Sequence, residues 1–67
     1  MTNSNNTIEL GKFLKWAGVV QTGGEAKILI QAGRVKVNDE IEKRRGRKLV
    51  EGDRVFVNNK TFTVELS

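Results

Sequence analysis

Apolar positions along this chain recur first at helical and then at strand spacing. Leu10, Phe13, Leu14 and Ala17 stand at i, i+3, i+4 and i+7, which places them on one face of a helix. Thr7 is its predicted N-cap, Glu9 suits the positive end of the helix dipole, and Gly18 ends it as a left-handed C′ residue. Lys12 and Lys15 project away from the apolar stripe, and Trp16, at its margin beside Phe13, is expected to pack into the core. A second helix is predicted from "TGGEAK" (22–27), where Thr22 and Glu25 have the S/T-x-x-E spacing of a reciprocal capping box. Ala26, Leu29 and Ile30 mark its buried face and Gly33 its end. Only "VVQT" (19–22) links the two helices.

After Gly33 the period changes to two. In "RVKVNDEIE" (34–42), Val35, Val37 and Ile41 alternate with Arg34, Lys36 and Glu40 around Asn38-Asp39, two residues that tolerate positive φ in a tight hairpin. "KLV" (48–50) leads into the turn "EGD" (51–53), and "RVFV" and "TFTVEL" read as strands joined across "NNK" (58–60). Phe56 alternates away from Val55 and Val57, toward solvent. The predicted class is α+β: a helix-turn-helix-like pair packed on a small, mostly antiparallel sheet of four to five short strands. Residues 1–7, polar and uncharged, are expected to form a disordered tail before a single domain spanning 8–67.

Composition narrows the chemistry. A chain of 67 residues buries only about 60% of its unfolded surface, so the core is thin. There is no cysteine and no histidine, so neither a disulfide nor a zinc site is available as a staple. The same absence removes the commonest general base and the thiol nucleophile. "GGEAK" lacks the G-x-x-x-x-G-K-[ST] spacing of a P-loop, and Asp39, Glu40 and Glu42 read as solvated charge on a turn and strand. No enzyme activity, cofactor or metal is therefore expected. No apolar run approaches the ~20 residues of a membrane helix, and the amino terminus has no apolar segment typical of a secretory signal, which points to the cytoplasm.

Charge adds the sharpest feature. The net charge is +4, yet "KRRGRK" (43–48) alone carries five positive charges, so the rest of the chain sums to −1. Lys43, Arg44, Arg45, Arg47 and Lys48 repel one another at this density, which suits a loop that meets an anion. Arginine's planar fork matches phosphate oxygens and lysine adds a point charge. The bland alternative is a solvated turn. Thr22, Gly23 and Gly24 offer a helix N-terminus that a phosphate can approach closely, although a plain capped turn explains them equally.

The ordered series "LGKFLKWAGVVQTGGEAKILIQAGRVKVNDEIEKRRGRKLVEGDRVFV" (10–57) resembles the S4 RNA-binding domain. "TGGEAK", "VKVN" and "RRGRKL" followed by "GD" are similar to small stand-alone bacterial members. The resemblance implies an alpha-L motif in which the helix pair and the adjoining hairpin form a basic face. Structured RNA, ribosomal more than transfer, binds there by backbone and shape. It also implies that Lys27, Arg34 and Lys36 extend the track from the loop, with Lys12 on the first helix. Three departures stand out: Glu9 where many members carry arginine, Gly23 and Gly24 where many carry arginines, and Asp39 where glycine is usual. The first two shift weight onto the loop, and the third bears on the hairpin turn.

The expected function is non-enzymatic binding of structured RNA, or of a ribosomal particle, by a monomer with no small-molecule substrate. The chief alternative is a protein-interaction adaptor or accessory subunit whose basic loop meets an acidic surface; an exposed apolar patch at Trp16 or Phe56 would favour it. S4-like domains also occur appended to RNA-modifying enzymes, but a start at Met1 and an end just after the last strand suggest a complete protein. Double-stranded DNA is a weaker partner, since no helix is dense in base-reading side chains.

Overall fold

In the computed structural model, which describes residues 6–66, the chain begins with β1 (Ile8–Glu9), α1 (Leu10–Trp16) and α2 (Gly23–Gln31). Five further strands follow: β2 (Lys36–Val37), β3 (Glu40–Ile41), β4 (Lys48–Leu49), β5 (Arg54–Val57) and β6 (Lys60–Thr63). This is the α+β arrangement read from the sequence. The tail assigned to residues 1–7 lies, through residue 5, outside the described residues. Among those, no helix is long and apolar enough to cross a membrane.

The first helix starts at the first residue of its apolar stripe, Leu10, and later than a cap at Thr7 would place it. Thr7 does not cap it; Glu9 occupies the N-cap position and makes no side-chain cap bond. Strand pairing overrides capping here, because Ile8 and Glu9 are extended and lie antiparallel to Leu49 and Lys48 of β4. Both helices end as the glycines predict. Gly18 (φ +80°) and Gly33 (φ +77°) adopt the left-handed conformation that a Cβ disfavours. The Val19 and Gly18 N–H groups donate to the Leu14 and Lys15 carbonyls, and those of Arg34 and Gly33 to Leu29 and Ile30, which makes each end a Schellman motif.

Half of the expected capping box forms at α2. The Thr22 hydroxyl accepts from the Glu25 N–H at 3.1 Å, but the Glu25 carboxylate reaches past Thr22 to accept from the Gln21 N–H at 2.7 Å. Leu10, Phe13 and Leu14 from α1 and Ala26 and Ile30 from α2 enter the core, joined by Val35, Val37, Leu49, Val55, Val57 and Val64. Phe62 meets Phe13 edge-on, with ring centroids 6.5 Å apart, and ties the sheet to α1. Trp16, expected in this core, is 72% exposed.

The strands form two antiparallel sheets, a main one in the order β3-β2-β5-β6 and a separate β1-β4 pair. "KLV" therefore joins the short amino-terminal strand and not the main sheet. Turn chemistry sets the register. Asn38 and Asp39, and again Asn58 and Asn59, all have positive φ, as two-residue type I′ turns require. The second turn is one residue shorter than "NNK", since Lys60 pairs with Val57 inside β6. The first aligns Val37 with Glu40 and Lys36 with Ile41. Side chains opposite one another share a face. Ile41 therefore points outward beside Lys36 and Phe56, against the expected inward alternation, and Glu42 turns in.

Asn38 also clasps the hairpin to the "GD" turn. Its side-chain oxygen accepts from the Arg54 N–H at 2.9 Å, and its amide donates to Asp53 at 3.1 Å; Asp53 in turn accepts from the Val50 N–H at 3.0 Å. Replacing Asn38 by alanine removes its two side-chain bonds and strains a left-handed residue, a loss of about 2 kcal/mol; Asn38→Gly relieves the strain and costs about 1 kcal/mol. Urea unfolding with an unchanged m-value measures both, and a glycine variant as stable as the parent would mean the side-chain bonds contribute nothing.

Candidate nucleic-acid interface

The basic loop is organised by a buried carboxylate. The I′ turn places Glu42 beyond β3, where its N–H donates to the Val35 carbonyl at 3.0 Å and its side chain keeps 9% exposure. Among the described residues it is the charged side chain that falls in the buried class. A buried charge must be paired and hydrogen-bonded, and the loop supplies the partners. Arg44 Nε lies 3.0 Å from Glu42 Oε2 and Arg47 Nη1 lies 2.8 Å from Oε1; the Arg44 backbone N–H adds a bond of 3.1 Å. The reading of Glu42 as solvated charge is corrected here: it is the knot of the loop.

The loop's backbone continues the connection. The Arg47 carbonyl accepts from the Leu10 N–H at 2.8 Å and the Arg45 carbonyl from the Gly11 N–H at 3.0 Å. These two donors are orphans of the α1 N-terminus, so the loop caps the helix in place of a side chain. The Arg45 side chain then crosses Gly11 so closely that a Cβ there would lie 2.6 Å from Arg45 Cγ. Glycine is needed at 11 for this approach, with no demand on φ.

An open cleft of about 260 Å³ results, lined by Glu9, Gly11, Lys12, Lys15, Gly23 and Arg45. Three cations face one carboxylate there. Lys27 stands one turn after Gly23 on α2, outside the residues that line the cleft. Gly23 leaves open space where a side chain would stand, and the Thr22 hydroxyl is engaged with Glu25.

The other expected positions are dispersed. Lys36 lies on the outer face of the main sheet between Ile41 and Phe56. Lys43 leans toward Gly33, at the opposite end of α2 from the cleft, where a cation suits the helix dipole. Arg34 follows Gly33 at that same end, and Lys48 stands opposite Glu9 in the β1-β4 register. Arg44, although 78% exposed, spends its Nε donor on Glu42. The five loop charges thus do not form one patch, and the loop joins strands of two different sheets. Lys15, left out of the expected track while Lys12 was included, lines the cleft equally. Glu42 and Gly11 are the positions shaping the loop that sequence reasoning missed; counting two residues per step from the Asn38-Asp39 turn was the signal for Glu42.

The Arg44 guanidinium first, and Arg47 next, hold the Glu42 carboxyl at about 2, well below its ordinary 4.5, against the opposing effect of burial. The fold therefore binds the ionised form, and the pair stabilises it above about pH 4.5 and is lost as pH falls toward 2. The whole shift corresponds to about 3 kcal/mol; with Arg44 so exposed, screening reduces this to roughly 1–2 kcal/mol. Glu42→Gln should be less stable than the parent by that amount at pH 6, and the gap should close toward pH 2. Urea titrations across that range measure it, and a gap independent of pH would remove the ion pair as the cause.

The S4 domain model matches residues 1–65. Over 50 residues the chain is 56% identical to the probable ribosome maturation protein RlbA of Bacillus subtilis (strain 168), a match that spans 75% of this chain and 70% of that protein. Helix pair, hairpin, "GD" turn and basic loop all fall within residues 1–65, and the chain belongs to the S4 domain family, the RNA-binding family that its series of motifs resembles.

Proposed function

We propose that this protein binds structured RNA without catalysing a reaction, and that its target is ribosomal RNA in a ribosomal particle. One observation carries the reading: the fold brings Lys12 and Lys15 from α1 and Arg45 from a distant loop to one open cleft beside the bare backbone of Gly23. Backbone phosphates fit such a cleft. Two ammonium groups and a guanidinium supply charge, and the glycine admits close approach. The name of the Bacillus subtilis relative supports a ribosomal target.

In this mechanism Arg45, Lys12 and Lys15 clamp phosphates, with Lys27 next in line. Arg44 and Arg47 hold the loop through Glu42 and offer their remaining donors to the RNA. Thr22 and Gly24 shape the approach to α2. Arg34, Lys36, Lys43 and Lys48 act at longer range through their field, which salt screens. Recognition is by A-form shape and backbone placement, and the protein works as a cytoplasmic monomer. A protein-facing adaptor is the second reading, favoured by the exposure of Trp16 (72%) and Phe56 (39%), the observation named for it above, and by Ile28, which is 71% exposed on α2. Crosslinking in cells with sequencing of the attached RNA separates the two: recovery of a defined rRNA region supports the proposal, and recovery of protein contacts without RNA defeats it.

Two measurements test the cleft itself. With about four to six phosphates neutralised, log K should fall with log[salt] at a slope of roughly −3 to −5. Arg45→Ala should flatten the slope by nearly one unit, and the triple alanine variant of Lys12, Lys15 and Arg45 by two or more; an unchanged slope in a folded triple variant would sink the assignment. Arg45 is the cleaner test than Arg44 or Arg47, whose removal also unpairs Glu42. Gly11→Ala, which keeps the helix but displaces the Arg45 stem, should weaken binding as much as Arg45→Ala, with no further loss when the two are combined. Full additivity would show that Gly11 does not act through Arg45.

A further inference from the structure

Trp16 ends α1 with 72% of its surface exposed, in a sequence with one tryptophan and no tyrosine. Leaving a side chain of this size in water forgoes one of the largest burial gains available to the chain. Its ring is nonetheless supported on one side. Phe13 lies beneath it with centroids 6.0 Å apart and planes inclined by 30°, and Phe13 is itself buried. Beside the indole is a second depression of about 280 Å³, lined by Ile8, Phe13, Trp16, Glu65 and Leu66.

The two depressions share α1 and differ in chemistry. Lys12 precedes Trp16 by one turn, and Lys15 is its immediate neighbour; both line the basic cleft. The cleft gathers three cations and one carboxylate, whereas the depression at Trp16 is lined by the side chains of Ile8, Phe13, Trp16 and Leu66 and its one charge is the Glu65 carboxylate. A phosphate suits the first and is repelled by the second. A nucleobase suits the second, with its flat face on the indole and its exocyclic amino group within the reach of an acceptor. Charge complementarity thus orders a nucleotide along the helix, phosphate toward Lys12 and Lys15 and base toward Trp16.

We infer that Trp16 is a stacking site for one unpaired base of the RNA held in the neighbouring cleft. This inference rests on the RNA reading above and narrows its substrate to a helix carrying a bulged or flanking unpaired nucleotide. Stacking on a protein aromatic contributes about 1–3 kcal/mol. Trp16→Ala should therefore weaken binding to such an RNA by roughly 5- to 150-fold.

The probes are two hairpin RNAs of equal length, one with a single bulged nucleotide and one fully paired, titrated at low salt with circular dichroism confirming each variant's fold. The bulged hairpin should quench the emission of Trp16, the chain's sole indole. Trp16→Ala should lose affinity for it while binding the paired hairpin within about twofold of the parent, and Trp16→Phe should restore much of the loss. Equal effects on the two hairpins, or unchanged emission at saturation, would overturn the stacking site while leaving phosphate binding in place. Loss of a protein partner from Trp16→Ala with RNA affinity intact would overturn it in favour of a protein-docking role. Failure of the parent protein to bind either hairpin would remove the RNA reading, and this inference with it.

Discussion

The contact between the Glu42 carboxylate and two arginines of its own loop governs the geometry of the whole basic face. Six successive residues with five positive charges favour an extended, mobile conformation through their mutual repulsion. Glu42 cancels part of that repulsion from inside the fold, bonded to Arg44 at 3.0 Å and Arg47 at 2.8 Å. The folded loop then presents the Arg45 and Arg47 carbonyls to the Gly11 and Leu10 N–H groups. An N-terminus capped by another segment's backbone is fixed in position as well as satisfied. Lys12 and Lys15 inherit their placement from it. The dependence runs from a two-residue turn at Asn38-Asp39, through the inward direction of Glu42, to the cations of a helix distant in sequence.

This chain of causes explains which parts of the structure were legible beforehand. Helix faces, both C′ glycines and the two asparagine-rich hairpins rest on local signals, periodicity and φ tolerance, and these appear in the fold nearly as read. Thr7 failed as a cap because a long-range partner, β4, held Ile8 and Glu9 extended. A strand of two residues has no period to detect. Ile41 and Glu42 were misassigned together, since alternation was carried through the hairpin without the parity that a two-residue turn imposes. Trp16 was assigned to the core from its proximity to Phe13, but proximity along a helix does not decide which side of a stripe a residue takes.

The candidate site was legible as charge and not as geometry. Counting cations singled out the loop, yet charge density said nothing about where each head group goes. The fold divides them: two toward Glu42, one into the cleft, one toward the carboxyl end of α2 and one opposite Glu9. Of the five cations counted in the loop, one lines the cleft, beside Lys12 and Lys15. The absence of arginine at the starts of both helices is then met by one loop arginine swung across Gly11.

Such an arrangement gives up raw charge for preorganisation. A flexible run of five cations binds any polyanion, at the entropic cost of ordering each long side chain on contact. Here Arg44 and Arg47 are held by Glu42 within the free protein, and Arg45 is guided along a groove that a methyl group would close. What is lost in long-range attraction is recovered as a fixed spacing between the loop and α1. Fixed spacing is what a shape-reading protein needs, since phosphate contacts define register only when their donors cannot move independently. The apolar depression at Trp16 lies on the same rigid helix, so any base seated there has a set displacement from the phosphates in the cleft. On this view Glu42, which need not touch the RNA, sets the ruler by which the rest of the face measures it.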